Sequence, residues 1–277
     1  MTVKEINNDL LRIYEEWLHC CAERLNNQKP VSKKHKEYAN AYGYSAPFIT
    51  GLPSHLENYD KKRILIYGQE AHNWLKFESY TSLKELQEEA IEYYNENMND
   101  QIKNSSPFWH MMRGLNKAFV PCWANLDKLH RVYQANDAFS QQLEFFEEEE
   151  KILLSPLSNN KNIIQNEIEI VNPEAIVFIT GPDYHKATKY ALGMPNYNTK
   201  KLVPNINGEV ILELTPYTHT KKKIPVFWTY HPNFMNYHNL DEHIKNLIEK
   251  ITNATNQHRS AELISEFCAN STMTSFL

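Results

Sequence analysis

The stretch RILIYGQEAHNW, residues 63–74, joins a short apolar run to a loop of polar and reactive side chains. The run at 64–67 lies between charged residues and Gly68, a setting typical of a strand buried inside a sheet. Such a strand normally ends in residues that only turn the chain, namely Gly, Asn, Asp, Ser or Pro. Here the glycine is followed by an amide, a carboxylate, a histidine and a tryptophan. The end of this strand is therefore a candidate site for binding and chemistry.

Further apolar runs predict that strands alternate with helices along the chain. Besides 64–67, the predicted strands are 118–124, 175–181, 210–214 and 225–232. Apolar residues three and four apart predict helices at 4–26, 82–98, 107–119, 137–170 with a break at Pro156, from Pro182 onward, and 241–256. Short, continuously apolar strands between helices favour a mostly parallel sheet covered on both faces. We therefore predict a three-layer α/β/α fold with a roughly four-stranded, mostly parallel central sheet.

Length and composition predict one main domain with an addition at each end. The 277 residues, of which 42% are hydrophobic and 12% aromatic, are enough for one large α/β domain or two small ones. No internal repeat or low-complexity linker divides the chain, which favours one domain. We predict an N-terminal helix and connecting loop packed on the core at 1–44, the main domain at 45–256, and a loosely attached C-terminal tail at 257–277.

Charge and cysteine content limit the class of protein. The formal net charge is -5, with 29 Lys and Arg against 34 Asp and Glu, which argues against a surface that binds polyanions everywhere but leaves room for a local basic patch. The cysteines have no C-x-x-C spacing and are predicted to be reduced thiols: Cys20, Cys21, Cys122 and Cys268. No apolar run approaches the roughly 18 residues of a membrane span, and the N-terminus lacks the order of a signal peptide. We expect a soluble, cytoplasmic protein with no membrane partner.

Several kinds of chemistry lack their motifs. The seven glycines form no G-x-G pair and no phosphate-binding loop, so nucleotide cofactors are poorly supported. There is no G-x-S-x-G for a serine nucleophile and no H-E-x-x-H for zinc. The spacing of the acidic residue and histidines near the last strand matches no established metal pattern: His231, His238, Asp241 and His243. We expect no cofactor and no metal.

In a parallel sheet, ligands bind beyond the carboxyl ends of the strands, so the loops that begin GQEAH, ANLDK, GPDYH and HPNFM should converge. These loops offer a carboxylate, an amide and a histidine: Glu70, Asn125 and His231. Cleavage of an N-glycosidic bond needs such a set. A carboxylate stabilises the oxocarbenium-like sugar and orients a water, while a histidine donates to the carbonyl oxygen of the base that leaves with negative charge.

Four stretches at these strand ends occur in an informative order: ILIYGQEAH at 64–72, FVPCWAN at 119–125, NPEAIVFITGPDYHKA at 172–187 and VFWTYHPNFM at 226–235. They resemble the uracil-DNA glycosylase superfamily, whose members carry a strand followed by G-Q-D-P-Y-H or a relative, later a strand ending in Asn, and finally a strand followed by H-P-S-P. The resemblance covers residues 45–250. It implies a divergent member that hydrolyses the N-glycosidic bond of uracil or another damaged base in DNA.

The resemblance implies a role for each residue at the strand ends. Gly68 and Gln69 would form the backbone turn against the flipped base, and Glu70 would take the position of the water-activating Asp. Asn125 would pair with the polar edge of a uracil-like base, and His231 would donate to its carbonyl oxygen. Glu70 and His231 are thus the implied catalytic residues.

The resemblance also implies how single- or double-stranded DNA would be held in a local basic cleft. Met235 would be the apolar wedge that fills the gap left by the flipped base, with Phe234 as the alternative. His72 or Trp74 would take over the family's steric gate against the thymine methyl group. Lysines before the last strand and in the N-terminal loop would meet phosphates: Lys221, Lys222 and Lys223, and Lys33, Lys34 and Lys36.

The motifs depart from the family pattern in ways that leave alternatives open. Glu70 is one methylene longer than Asp, Ala71 and His72 replace Pro and Tyr, and Asn233 and Phe234 replace Ser and Pro. One alternative is a catalytically silent relative that binds nucleic acid or a protein partner through the same cleft. The other is an N-glycosidase of free nucleosides or nucleotides. Taken singly, the carboxylate and the amide of the site can also be explained as caps, and the histidine as a strand end.

Overall fold

The computed structural model of the protein describes residues 1–26, 46–54, 56, 62–70, 82–99, 106–129, 131–133, 141–143, 151–194, 199–201, 211–219 and 222–273. The helices named below are α1 (Val3–Asn26), α2 (Leu83–Met98), α3 (Pro107–Leu115), α4 (Ile163–Val171), α5 (His185–Ala191), α6 (Pro232–Met235) and α7 (Leu240–Met273). The strands are β1 (Arg63–Glu70), β2 (Val120–Asp127), β3 (Arg131–Tyr133), β4 (Gln141–Leu143), β5 (Ala175–Phe178), β6 (Thr199–Lys201), β7 (Ile211–His219) and β8 (Lys222–Thr229).

The central sheet has the strand order β2-β1-β5-β8-β7-β6. Strands β2, β1, β5 and β8 are parallel to their neighbours, while β7 and the three-residue β6 continue the sheet in antiparallel fashion. Strands β3 and β4 form a separate antiparallel pair. The predicted α/β class with a mostly parallel sheet is confirmed. The sheet is larger than the predicted four strands because two antiparallel strands extend it past β8.

Two hydrophobic cores cover the two faces of this sheet. Side chains alternate along a strand, so Leu65 and Tyr67 of β1 face one core while Ile64 and Ile66 face the other. The first core includes residues of α1, α4 and α5, and the second includes residues of α3 and α7. Helices therefore lie on both faces, which gives the predicted α/β/α layers.

Several predicted elements have different bounds in the structure. Within the predicted helix at 137–170, residues 151–153 are helical, the helix is interrupted around Pro156 as predicted, and helix α4 begins at Ile163, where Asn162 and Gln165 form a reciprocal cap. Residues 141–143 are a strand instead. Strand β2 continues past Asn125 to Asp127. The last helix does not end at 256 but continues to Met273, since no Gly or Pro interrupts the chain there. The predicted border of the C-terminal tail thus falls inside α7.

Among the described residues, none of the helices is both long and apolar enough to cross a bilayer.

Candidate functional site

The carboxyl ends of the four parallel strands lie side by side and bring most of the predicted site residues to one edge. In the register of β1 and β2, Gly68 lies opposite Asn125, and Glu70 lies opposite Asp127. His231 follows the end of β8 by two residues. The neighbouring turn after β5 is tied to β8 because the Gly181 N–H donates to the carbonyl oxygen of Thr229 at 3.3 Å.

Asn125 presents an unpaired donor at this edge. Its side chain is only 2% exposed, and its Oδ1 accepts a hydrogen bond from Trp123 Nε1 at 3.3 Å. That bond fixes which end of the amide is the oxygen. The amide nitrogen, Nδ2, is buried without a hydrogen-bond partner. Leaving such a donor unsatisfied costs about 1–3 kcal/mol, so Nδ2 is a candidate for binding the acceptor of a ligand.

Gly68 makes room for this amide. A Cβ atom added at Gly68 would lie 2.7 Å from Asn125 Oδ1, which is closer than real Cβ contacts. Any side chain at this position would therefore displace Asn125 from its bond to Trp123. The glycine of the opening motif is explained by the close approach of its neighbour.

The side chain of Gln69 fastens two strand ends to each other. Its Nε2 donates to the carbonyl oxygen of Thr180 at 2.7 Å. The following Gly181 has a φ of +73°, a left-handed conformation that favours glycine, and starts the turn into Pro182–Tyr184. Beside them, the Oγ1 atom of Thr180 is buried without a partner. Because Nε2 of Gln69 is already engaged, this residue can offer a ligand its Oε1 acceptor and its backbone.

His231 is held as a neutral hydrogen-bond donor. It precedes α6, and its Nδ1 accepts a hydrogen bond from the Asn233 N–H at 3.2 Å. Burial lowers the pKa of the imidazole from 6.5 to about 4. At neutral pH the ring is therefore uncharged, and since Nδ1 is an acceptor, the proton resides on Nε2. Nε2–H is a donor in a site that carries no imidazolium charge.

The protonation of His231 gives a testable pH dependence. Because folding lowers its pKa from 6.5 to about 4, the unfolded chain binds more protons between these two values. Above pH 6.5, His231 therefore does not lower the free energy of unfolding. As the pH falls from 6.5 to about 4, it lowers this free energy increasingly. We expect an NMR titration to give a midpoint near 4 for the ring resonances that are lost in His231→Asn. A midpoint near the ordinary value would contradict the buried, neutral ring.

Asp127 is a second carboxylate that sequence reasoning missed. The Glu70 backbone ends β1 opposite Asp127, so two acidic residues occupy paired positions on neighbouring strands. Asp127 is buried and lies two residues after Asn125, which places both on the same face of β2. The alternation of side chains along the ANLDK segment could have identified Asp127, because it places this residue on the same face of the strand as Asn125. The predicted His72 lies outside the described residues.

An aromatic cluster lies beside Asn125. The Trp123 ring is half-buried and contacts rings from α2, α3 and the segment before β1, with centroid distances of 4.4 Å to Phe48, 5.2 Å to Trp109, 5.6 Å to Phe108 and 6.0 Å to Tyr93. Tyr93 leaves 43% of its surface exposed. The amide therefore lies against an apolar wall that is open to solvent in part.

Met235 does not occupy the position of a wedge. It is fully buried in the core between the sheet, α3 and α7, so the predicted insertion of this side chain into DNA is wrong. The reason is the helical turn of α6, which points successive side chains in different directions. The predicted alternative, Phe234, is 42% exposed and stacks between Tyr230 and His238. Nearby Tyr237 is 85% exposed.

The lysines before the last strand lie at the opposite edge of the sheet. Lys222 and Lys223 begin β8, whereas His231 follows its other end. Eight residues rise by about 3.3 Å each, so roughly 25 Å separates the two edges. Lys222 also pairs with Glu174 at 3.1 Å and donates to the carbonyl oxygen of Pro173 at 3.2 Å. The predicted contact of these lysines with phosphates beside His231 is therefore wrong, and Lys221 lies outside the described residues.

A buried charged network lies directly beneath the edge. Lys128 Nζ contacts both carboxylate oxygens of Glu167, at 2.6 and 2.7 Å, and both side chains are excluded from solvent. The hydroxyl of Tyr67 donates to Glu167 at 3.0 Å, that of Thr50 donates at 2.9 Å, and that of Tyr14 donates as well. Burial, followed by the charge of Glu167, raises the pKa of both tyrosines.

This network anchors the strand ends that carry the site. Tyr67 immediately precedes Gly68, and Lys128 immediately follows Asp127. Both lie on the face opposite Asn125, because side chains alternate along β1 and β2. The network therefore fixes the two strand ends from below without entering the site, and no sequence motif identified it.

The histidines near α7 are engaged separately. His243 is buried and contacts Thr229 Oγ1 at 3.1 Å, whereas Asp241 contacts His110 at 2.6 Å. In the described part of the chain, no three His, Cys, Asp or Glu side chains come together as metal ligands would.

Comparison with known proteins adds no relative. No protein-family model matches the chain, and no curated protein sequence is significantly similar to it.

Proposed function

We propose that the protein hydrolyses the N-glycosidic bond of uracil or another damaged base in DNA, as a divergent relative of the uracil-DNA glycosylases. The observation that carries this proposal is the unpaired, buried Nδ2 donor of Asn125 at the edge to which His231 also brings a donor. The four stretches that carry the resemblance all lie at ends of adjacent parallel strands, which supports the same reading.

The chemistry follows from the polarity of these groups. Glu70, at the end of β1, accepts a proton from a water whose oxygen attacks C1′ of the sugar. The bond between C1′ and the base nitrogen breaks, and the base keeps the electron pair. His231 Nε2–H donates to a carbonyl oxygen on which negative charge develops, and Asn125 Nδ2 donates to a second acceptor. A neutral histidine serves here because it needs only to donate a hydrogen bond.

Two donors favour bases that present two acceptors. Uracil and xanthine carry carbonyl oxygens that both groups can meet. An exocyclic amino group, as on cytosine or adenine, would place a donor against the donor of Asn125 and leave it unpaired. We therefore propose an oxo-substituted base as the substrate, with the chain acting in the cytoplasm, where its free thiols Cys20, Cys21 and Cys122 stay reduced.

A second candidate is hydrolysis of free nucleosides or nucleotides. The net charge of -5 and the position of Lys222 and Lys223 at the far edge of the sheet favour it, since neither helps to hold a DNA backbone near the site. A catalytically silent relative is the third candidate, and the longer side chain of Glu70 favours it.

The deciding experiment measures base release. Labelled oligonucleotides that contain uracil, hypoxanthine or xanthine are incubated with the protein, and abasic sites are cleaved with alkali. Free nucleosides are assayed in parallel by chromatography. Excision from the oligonucleotides that is abolished by Glu70→Ala supports the proposed function. Release from nucleosides alone favours the second candidate, and binding without release favours the silent relative.

Gly68→Ala tests whether Asn125 recognises the base. We expect the variant to lose about as much activity as Asn125→Ala, because the new methyl group would occupy the space of the amide oxygen. The two changes together should then cost little more than either alone. Excision rates of the two single variants and the double variant provide the test. Additive losses would show that Gly68 does not act through Asn125.

A further inference from the structure

A second surface with a distinct chemistry lies between α3 and α7. The two helices border an open groove of about 860 Å³ that is closed at one side by Met98 at the end of α2. Its apolar lining includes Ile244 and Ile248 of α7. Gly114 lets the helices approach closely, because a Cβ atom there would lie 2.8 Å from Ile244 Cγ2. The close packing of α3 against α7 therefore forms the bottom of the groove.

The rim of this groove is basic although the whole chain is acidic. Arg113 and Lys117 line one side and Lys245 lines the other. Arg113 is held in place because its Nη1 donates to the carbonyl oxygen of Asn97 at 2.7 Å. The acidic residue in the lining, Asp241, lies at one end of the groove beside His110, at 2.6 Å. The lining carries three cations against one carboxylate, and Glu242, outside the lining, lies 3.9 Å from Lys245. The net positive charge of this lining in a chain with a net charge of -5 favours an anionic occupant.

The groove leads away from the candidate site. Its Asp241 end is near α6, because α7 follows α6 closely in the chain and α3 contacts both helices. The other end extends towards Lys117, just before the amino end of β2. The nine residues of α3 span about 14 Å. In one strand of B-form DNA this length covers about four phosphates at 3.4 Å of axial rise each, which is close to the number of cations.

We propose that the groove between α3 and α7 binds the phosphate backbone of the DNA whose target base enters the site at the sheet edge. The identification of the occupant as DNA rests on the proposed function. Arg113 and Lys245 would meet phosphates along the groove, and Lys117, which lies at the amino end of β2 and so is remote from His231 like the lysines of β8, would meet the most distant one. The groove would thus supply polyanion contacts close to the carboxyl edge of the sheet.

The test measures binding without requiring chemistry. Anisotropy of a labelled, undamaged duplex is recorded from 50 to 200 mM salt with Lys117→Gln/Lys245→Gln. The matched control is Lys4→Gln/Lys84→Gln, which removes the same charge from exposed lysines of α1 and α2. We expect the groove variant to bind about tenfold more weakly, with a salt slope smaller by about 0.9 per lost contact. Asp241→Asn should tighten binding.

The outcomes separate this inference from the proposed function. Equal binding by the groove and control variants would overturn the inference, even if wild-type protein excises a base. A selective loss in the groove variant supports it, even if no base is released. Displacement of the duplex by polyglutamate at equal charge concentration would assign the groove to acidic polypeptides and overturn the DNA assignment. Circular dichroism of both double variants confirms that exposed lysines were changed without unfolding.

Discussion

His231→Ala is expected to slow base excision by about 100- to 1000-fold, because in the proposed mechanism it removes the donor to the departing base. The effect should fall on kcat more than on KM. The carbonyl oxygen of the bound base carries little charge, and it becomes a strong acceptor only as the glycosidic bond breaks. The preorganisation of His231 is what makes the loss large: its Nδ1 is engaged by Asn233, so Nε2 carries the proton before substrate arrives.

Two further variants separate a chemical role from a structural one. His231→Gln keeps a side-chain donor, so its excision rate should lie between those of His231→Ala and the wild type. If the ring were needed only to cap α6, His231→Gln would not be faster than His231→Ala. His19→Ala changes an exposed histidine of α1 and should leave the rate unchanged. Single-turnover excision of the best oligonucleotide substrate is the measurement. A loss of less than about threefold in His231→Ala would remove this residue from the mechanism.

The sheet edge could be predicted because strand ends are marked in the sequence. The runs at 64–67 and 175–181 are continuously apolar and stop at a glycine, which occurs where a strand buried on both faces meets a loop. Parallel strands place their carboxyl ends at one edge. The local pattern alone therefore predicts that Gly68, Asn125 and His231 lie at one edge of the sheet, because all parallel strands have their carboxyl ends there.

The direction of individual side chains could not be predicted in the same way. Met235 and Phe234 are adjacent, and only the start of α6 at Pro232 decides which of them is buried. Lys222 is close to His231 in the sequence but not in space. A strand of eight residues separates them by its full length.

Contacts between distant elements were out of reach of sequence reasoning. Glu167 lies in the segment IIQNEIEIV, where a carboxylate on a short apolar helix gives no sign of its partner. Lys128 is 39 residues away and follows a different strand. Their union also needs hydroxyl groups from α1, from β1 and from Thr50 in the segment before β1, so five separate segments must be in place before the ion pair is explained.

The dependence of the fold on this ion pair gives the largest expected change in stability. Glu167→Gln should lower the free energy of unfolding by about 3–5 kcal/mol, because it leaves the Lys128 ammonium buried without the carboxylate that it contacts directly. Both side chains are almost fully excluded from solvent, so water cannot take the place of the carboxylate. The hydroxyls of Tyr14 and Tyr67 would also lose a charged acceptor and bond more weakly to the amide.

A comparison of ion pairs makes the test decisive. Glu174→Gln breaks the partly exposed pair with Lys222 and should cost less than about 1 kcal/mol, since water screens the lysine that remains. Replacement of both buried partners, Lys128→Met with Glu167→Leu, should cost clearly less than Glu167→Gln alone, because no charge is left unpaired. Urea unfolding of the four proteins gives the free energies. If Glu167→Gln lowered the free energy of unfolding no more than Glu174→Gln does, the buried network would not be what holds β1 and β2 beneath the site.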